Sequence, residues 1–212
     1  MAEKLIDLKV RDYLDVLKSD APAPGGGSVS ALAGAQGAGL LLMVCDLTLG
    51  KEKYKDFEAV IEEAKPDLEE AEKALTEGID RDTEAFNLVM DALAMPKSND
   101  EEKAARTDAI QKGTIASTEA PLENMEHALR ALEAAEKIAG KFNPNCMSDF
   151  GVGVMNLKLC VQGAFMNVKI NLPGIKDEGL AAELAKRADE AAQDGTEIAD
   201  GLYSYAMDAL NK

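Results

Sequence analysis

The sequence predicts an all-α fold: a single-domain antiparallel helical bundle with two small-residue-rich central helices. Three observations carry this expectation. Apolar residues recur at spacings of three and four along nearly the whole chain. β-branched runs are short, and no Asn-Gly or Asp-Gly turn separates alternating segments. Breaks rich in Gly, Pro or Asn are brief, and the polar stretch 98–106 is too short for a linker, so the 212 residues read as one domain.

The elements follow in order. Tyr13, Leu14 and Leu17 mark a short amphipathic helix that ends before Ser19. Residues 21–27, A-P-A-P-G-G-G, form a loop, because two prolines and three glycines do not sit inside a regular helix. Ser28 or Gly27 is expected to cap an apolar helix reaching about Gly50. A stripe of Phe57, Val60, Ile61, Ala64, Leu68, Ala71 and Leu75 places the next helical stretch at about 54–95, with Pro66 expected to kink or split it. Asp82, Phe86, Val89 and Leu93 continue its periodicity, and Pro96 stops it. Asn99 is expected to cap a helix over 100–118, and Pro121 suits the first turn of another carrying Leu122, Met125, Leu129, Leu132 and Ile138. The loop G-K-F-N-P-N at 140–145 precedes a cap at Ser148 and a helix to about Leu172, rich in Gly151, Gly153, Gly163 and Ala164. Pro173-Gly174 breaks it, and Asp177 opens a final amphipathic helix.

Composition excludes several functions. With 39 acidic against 23 basic side chains, the net charge of -16 argues against a nucleic-acid or anionic-membrane partner. One histidine, His127, excludes centres built from several histidines in one subunit, and its acidic neighbours suit a boundary position. Cys45, Cys146 and Cys160 are odd in number and lack C-x-x-C spacing, which points to a cytoplasmic location. Cys45 and Cys160 fall in apolar helices and should be inert, whereas Cys146 falls in a loop that could expose it. Met1-Ala2-Glu3-Lys4 leads straight into charged sequence, so no signal peptide is expected. Residues 29–49 have the length and apolarity of a membrane span but contain Gln36 and Asp46, and a buried helix is expected instead.

The chemistry gathers at the starts of the two glycine-bearing helices. Gly34, Gly37 and Gly39 each cost roughly 1 kcal/mol relative to Ala, which close helix approach would offset. A helix start offers unpaired N–H groups and partial positive charge, and Gly25, Gly26 and Gly27 let a ligand approach the backbone closely. P-G-G-G-S is not a Walker loop, and a purely structural turn fits it equally. Lys51, Lys53 and Lys55 serve either a helix C-terminus or an anionic ligand. Asp149, with Ser148, Asn145 and Asn143 beside it, reads as a capping cluster or a reacting one. Asp82 lies on an apolar stripe, so it must be paired, neutral or functional. Asn167, Lys169 and Asn171 place polar groups at the end of an apolar helix, and Lys158 and Lys169 suit snorkelling.

Four segments then align with a known family: P-x-P-G-G-G-S-V-S-A-L-A-G-A at 22–35, L-T-L-G-K-x-K-Y at 47–54, D-x-E-A-F-x-x-V-M at 82–90 with M-P-K at 95–97, and N-x-N-C-M-S-D-F-G-V at 143–152 running on to N-V-K-I-N-L at 167–172. Together they resemble the cyclodeaminase/cyclohydrolase family. Its members include the C-terminal domain of formiminotransferase-cyclodeaminase and free-standing bacterial methenyltetrahydrofolate cyclohydrolases. The resemblance implies an all-helical homodimer acting on a tetrahydrofolate derivative, with no metal and no cofactor besides that substrate. It implies that Pro24, Gly25, Gly26, Gly27 and Ser28, with residues 143–149, line the pterin and one-carbon end. It further implies that Lys51 and Lys53 hold the glutamate tail, with Asn167, Lys169 and Ser148 also against substrate. Asp82, Asp149 and Asn145 are the candidates for the reacting end. Cys146-Met147 before Ser148 matches no firm family expectation.

Two reactions fit. A cyclohydrolase adds water to the cationic carbon of 5,10-methenyltetrahydrofolate and yields 10-formyltetrahydrofolate, which needs a base for water and a carboxylate near the cation. A cyclodeaminase closes 5-formiminotetrahydrofolate onto N10 and expels ammonia. Without an attached formiminotransferase domain in this chain, the cyclohydrolase is the favoured expectation. A non-enzymatic acidic dimer or adaptor is the reading that either activity would exclude.

Overall fold

Six α-helices and four short 3-10 turns, with no strand, make up the described residues 4–212 of the computed structural model. Met1, Ala2 and Glu3, on which the expectation of no signal peptide rested, lie outside them. The helices are α1 (Val10–Leu17), α2 (Gly26–Asp46), α3 (Glu58–Ala94), α4 (Asp100–Ile138), α5 (Met147–Asn171) and α6 (Glu178–Leu210). The stripe read along 57–75 buries Ile61, Ala64, Leu68, Ala71 and Leu75 of α3. Leu41, Leu122, Met125, Leu132, Phe150 and Leu157 join them in one core.

α2 and α5 pack along each other in opposite directions. Gly37 lies against Gly153, Gly34 against Cys160, Ser30 against Gly163, and Gly26 against Asn167. A methyl group on Gly37 would stand 2.7 Å from the Gly153 carbonyl oxygen, and one on Gly34 2.8 Å from the Cys160 sulfur. Gly39 has no such neighbour within 4 Å. α6 returns antiparallel to α5, with Gly195 on Val161 and Ala206 on Gly151. Helix α2 is long and apolar enough to cross a membrane, yet 61% of its apolar window is buried within the bundle.

Several boundaries differ from those expected. Pro66 and Pro121 split nothing: α3 and α4 run through them. Each proline costs a helix roughly 3 kcal/mol, and buried residues on both sides (Ala64 and Leu68, Ala120 and Leu122) hold the axis in place. α2 ends at Asp46 rather than near Gly50, and its cap residue is Gly25. Ser28 lies inside the first turn, where its hydroxyl donates to the Ile79 carbonyl at 2.8 Å. Ser148 does not cap α5, which starts at Met147 after Cys146. The caps at Asn99 and Asp177 form as expected, accepting from the Glu102 and Leu180 N–H groups. Cys146 is buried, not exposed. Burial pushes the Cys45 thiol up to about 11 and the Cys160 thiol up to about 12, so neither is a nucleophile at neutral pH.

Candidate functional site

The glycine run and α3 meet at a cavity of about 360 Å³, walled by Gly25–Gly27, Asp82, Phe86, Thr114, Ser117, Asn167 and Ile170. Gly27 is required there, because a methyl group at this position would overlap the Asp82 carboxylate. Without one, the carboxylate rests on the first turn of α2, beside its unpaired N–H groups and partial positive charge. The backbone N–H of Ser28 donates to Asp82, and its hydroxyl lies 3.4 Å from the carboxylate. That hydroxyl also lies 3.2 Å from the Thr83 hydroxyl, forming a small polar patch under the acid.

Burial dominates the titration of Asp82 and raises its carboxyl above the ordinary carboxylate range, against the lowering pull of the Ser28 bonds. The Tyr13 hydroxyl, buried and without a hydrogen-bond partner, is raised by burial and then by the charge of Asp82. The buried Ser117 hydroxyl is also unpartnered. On the far wall, Asn167 donates its amide to the Gly163 carbonyl at 2.8 Å, leaving its amide oxygen free to accept. Asn171 donates to the Ser117 carbonyl at 2.7 Å, tying α5 to α4. The cavity therefore joins an ionisable carboxylate, a helix start and spare hydroxyl groups, a set able to meet a cation and move a proton.

A second cluster forms at the opposite end of the bundle. Asn143 is fixed through backbone and side chain: its N–H donates to Thr48 at 2.9 Å, its side-chain amide donates to the Leu47 carbonyl at 3.5 Å, and its side-chain oxygen accepts from Tyr54 at 2.9 Å and from the Asn145 N–H at 3.2 Å. Lys53, Tyr54, Phe57, Phe142, Pro144 and Tyr205 line a cavity of about 350 Å³ there. Burial raises the Cys146 thiol, Asp149 raises it further and Lys51 lowers it, which places both charges around that residue. Asn145, Ser148, Lys51 and Lys53 are exposed at this end.

One chain does not bring the two carboxylates together. Asp149 opens α5 and Asn167 stands near its close, which is about 27 Å at 1.5 Å per residue. Pro24, Gly25, Gly26, Gly27, Ser28, Asp82 and Asn167 therefore form one group; Lys51, Lys53, Asn145, Ser148 and Asp149 form another. The expectation that both loops line the same end fails within the monomer, because α2 and α5 are antiparallel and start at opposite ends. Lys169 joins neither group: its ammonium pairs with Asp189 at 2.7 Å and lies over the Phe165 ring.

A family model described as formiminotransferase-cyclodeaminase matches residues 9–190. The chain belongs to this family. Both clusters of this formiminotransferase-cyclodeaminase family member lie within the matched span. The chain is 37% identical to a methenyltetrahydrofolate cyclohydrolase from Methylorubrum extorquens over 202 residues, 95% of this chain and 97% of that one. It is 32% identical to the rat formimidoyltransferase-cyclodeaminase over 176 residues, 83% of this chain but 32% of the rat protein. A crystal structure of formiminotetrahydrofolate cyclodeaminase from Thermotoga maritima matches with a TM-score of 0.79 at 27% identity, covering 98% of both chains. In this family member, sequence reading missed Tyr13, Thr114 and Ser117 at the site. Tyr13 left one signal, a polar-tipped aromatic on the buried face of α1; Thr114 and Ser117 left none, being single hydroxyls inside a long helix.

Proposed function

We propose that this protein is a 5,10-methenyltetrahydrofolate cyclohydrolase of one-carbon metabolism. The observation that carries the reading is the likeness to the Methylorubrum cyclohydrolase along 97% of its length. The Asp82 cavity supports it chemically. An ionised Asp82 pairs with the methenyl cation and takes a proton from the attacking water. The resulting carbinol carbon then breaks its bond to N5, which receives that proton, while the carbinol proton leaves to solvent and 10-formyltetrahydrofolate forms. A carboxyl that burial raises above the ordinary carboxylate range suits both transfers.

Neither a metal nor a nucleotide enters this reaction. Lys51 and Lys53 lie at the far end from Asp82 within one chain, so in the homodimer it is the partner's Lys51 and the partner's Lys53 that take the anionic glutamate tail. The protein is read as a cytoplasmic homodimer, with no nucleic-acid or membrane partner, in keeping with its acidic surface. The cyclodeaminase reading has its own support in the Thermotoga structure, matched along 98% of both chains. One assay separates the two. Methenyltetrahydrofolate and 5-formiminotetrahydrofolate are supplied separately, and 10-formyl product and ammonia are measured. Formyl product from the first with no ammonia from the second supports the cyclohydrolase; the converse supports the cyclodeaminase; neither leaves a non-enzymatic bundle.

A further inference from the structure

Among the described residues, four buried side-chain atoms lack a hydrogen-bond partner: the Tyr13 hydroxyl, Arg81 Nε, the Ser117 hydroxyl and Asn124 Nδ2. Arg81 and Asn124 are bonded to each other at 3.1 Å, and Arg81 Nε lies 3.3 Å from the Glu123 carboxylate. The Ser117 hydroxyl belongs to a wall of the Asp82 cavity, where substrate or water can reach it. Tyr13 is the unexplained member. It is the one buried residue of α1, 6% exposed, while Val10 and Leu14 of the same helix are 78% and 52% exposed. A helix that packed for apolar burial alone would turn those two inward. The Tyr13 ring packs instead on Ala31 and Ile79. Ala31 stands one turn beyond Gly27 on α2, and Ile79 one turn before Asp82 on α3. The ring is thus wedged where these helices hold the carboxylate, without being a wall of the cavity. Phenylalanine would fill this place with no hydroxyl to desolvate. The segment is tied on both sides. Asp80 accepts from the Leu5 and Ile6 N–H groups at 2.7 and 3.4 Å, and the chain after α1 becomes cavity wall at Pro22 and Ala23.

We propose that Tyr13 is a positioning residue for Asp82: its hydroxyl turns onto the carboxylate as that group ionises and donates a hydrogen bond that holds the anion toward the substrate. This rests on the folate reaction proposed above, in which an ionised Asp82 takes a proton and returns it. Ser28 gives the anion its N–H, but its hydroxyl is committed to the Ile79 carbonyl at 2.8 Å and lies 3.4 Å from Asp82. A second full donor is missing, and Tyr13 has one to give. The charge of Asp82 already reaches the phenol and, after burial, helps to hold its proton. Other charges near this end are engaged or exposed. On α1, Arg11 and Asp12 are exposed; on α3, Asp80 and Arg81 are bound as described and Glu84 is exposed; on α4, Glu119 is exposed; on α5, Lys169 pairs with Asp189. The glycines of α2 bring none.

Tyr13→Phe keeps the ring and removes the hydroxyl. The titration of Asp82 in the free protein is followed by isotope-edited NMR of the aspartate carboxyls, assigned with Asp82→Asn. The pH–rate profile with methenyltetrahydrofolate is measured beside it. The Asp82 midpoint is expected about one pH unit higher in the variant, the worth of one hydrogen bond to a charged group. The acid limb of kcat should rise with it while KM stays nearly unchanged. At a pH below the Asp82 titration the variant should melt no lower than wild type, since only an unpartnered hydroxyl is lost. A midpoint that stays in place overturns the proposal, and lower melting beside it would leave the hydroxyl a packing role alone. If neither folate derivative is turned over, the activity reading falls, and the NMR midpoint still upholds or overturns the bond from Tyr13 to Asp82.

Discussion

Asp82 is held in a state that costs stability. Its folded carboxyl keeps a proton more tightly than it would in the unfolded chain. The stabilisation from that proton is complete below the ordinary carboxylate pKa and is lost as pH rises through the raised folded value. At neutral pH the ionised group is therefore a net cost, tolerated for function. Asp82→Asn should raise the melting temperature at pH 7 while lowering kcat/KM by about 100-fold or more, the scale of a lost general base. The acid limb of the wild-type pH–rate profile should lie above the usual carboxylate range. Calorimetry and a pH series check both; a variant that melts lower would show Asp82 to be structural. Gly27→Ala should reproduce much of the activity loss, because its methyl group displaces the carboxylate without removing it. Asp82 was legible as an acid on an apolar stripe. Its dependence on Gly27, 55 positions away, was not, since no local pattern encodes which turn an acid rests on.

The elements show where local rules yield to packing. Both prolines read as breaks, yet both lie within continuous helices because burial on either side outweighs one lost hydrogen bond. Caps at Asn99 and Asp177 were legible because capping is local, whereas Ser28 was misread because a distant carbonyl, that of Ile79, takes its hydroxyl. The glycines separate two causes in the same way. Gly37→Ala should destabilise by roughly 1–3 kcal/mol, since its methyl group meets the Gly153 backbone and the two helices must part. Gly201→Ala, exposed on α6 with nothing within 4 Å, should stabilise by roughly 1 kcal/mol through helix propensity alone. Denaturant melts of the pair test the contrast; equal effects would mean that α2 and α5 tolerate separation.

Across the whole molecule, the charge of -16 opposes an anionic substrate, so binding a folate tail requires a local exception. Lys51, Lys53 and Lys55 are that exception, three ammonium groups within five residues at the Asn143 end of the bundle. The field of distant carboxylates is screened beyond about 10 Å at 0.1 M salt, while the lysines act at contact. A tail of several glutamates thus gains from the lysines and loses little to the rest of the surface once salt is present. Lys51→Ala combined with Lys53→Ala should weaken a polyglutamylated folate by about threefold to tenfold, the worth of two exposed ion pairs, and the monoglutamate by less. Salt should narrow the gap between the two ligands in the wild type and leave the variant nearly unmoved. Titrations at low and moderate salt measure this. Equal losses for both ligands would remove the lysines from the tail site and leave them as charges at the end of α2.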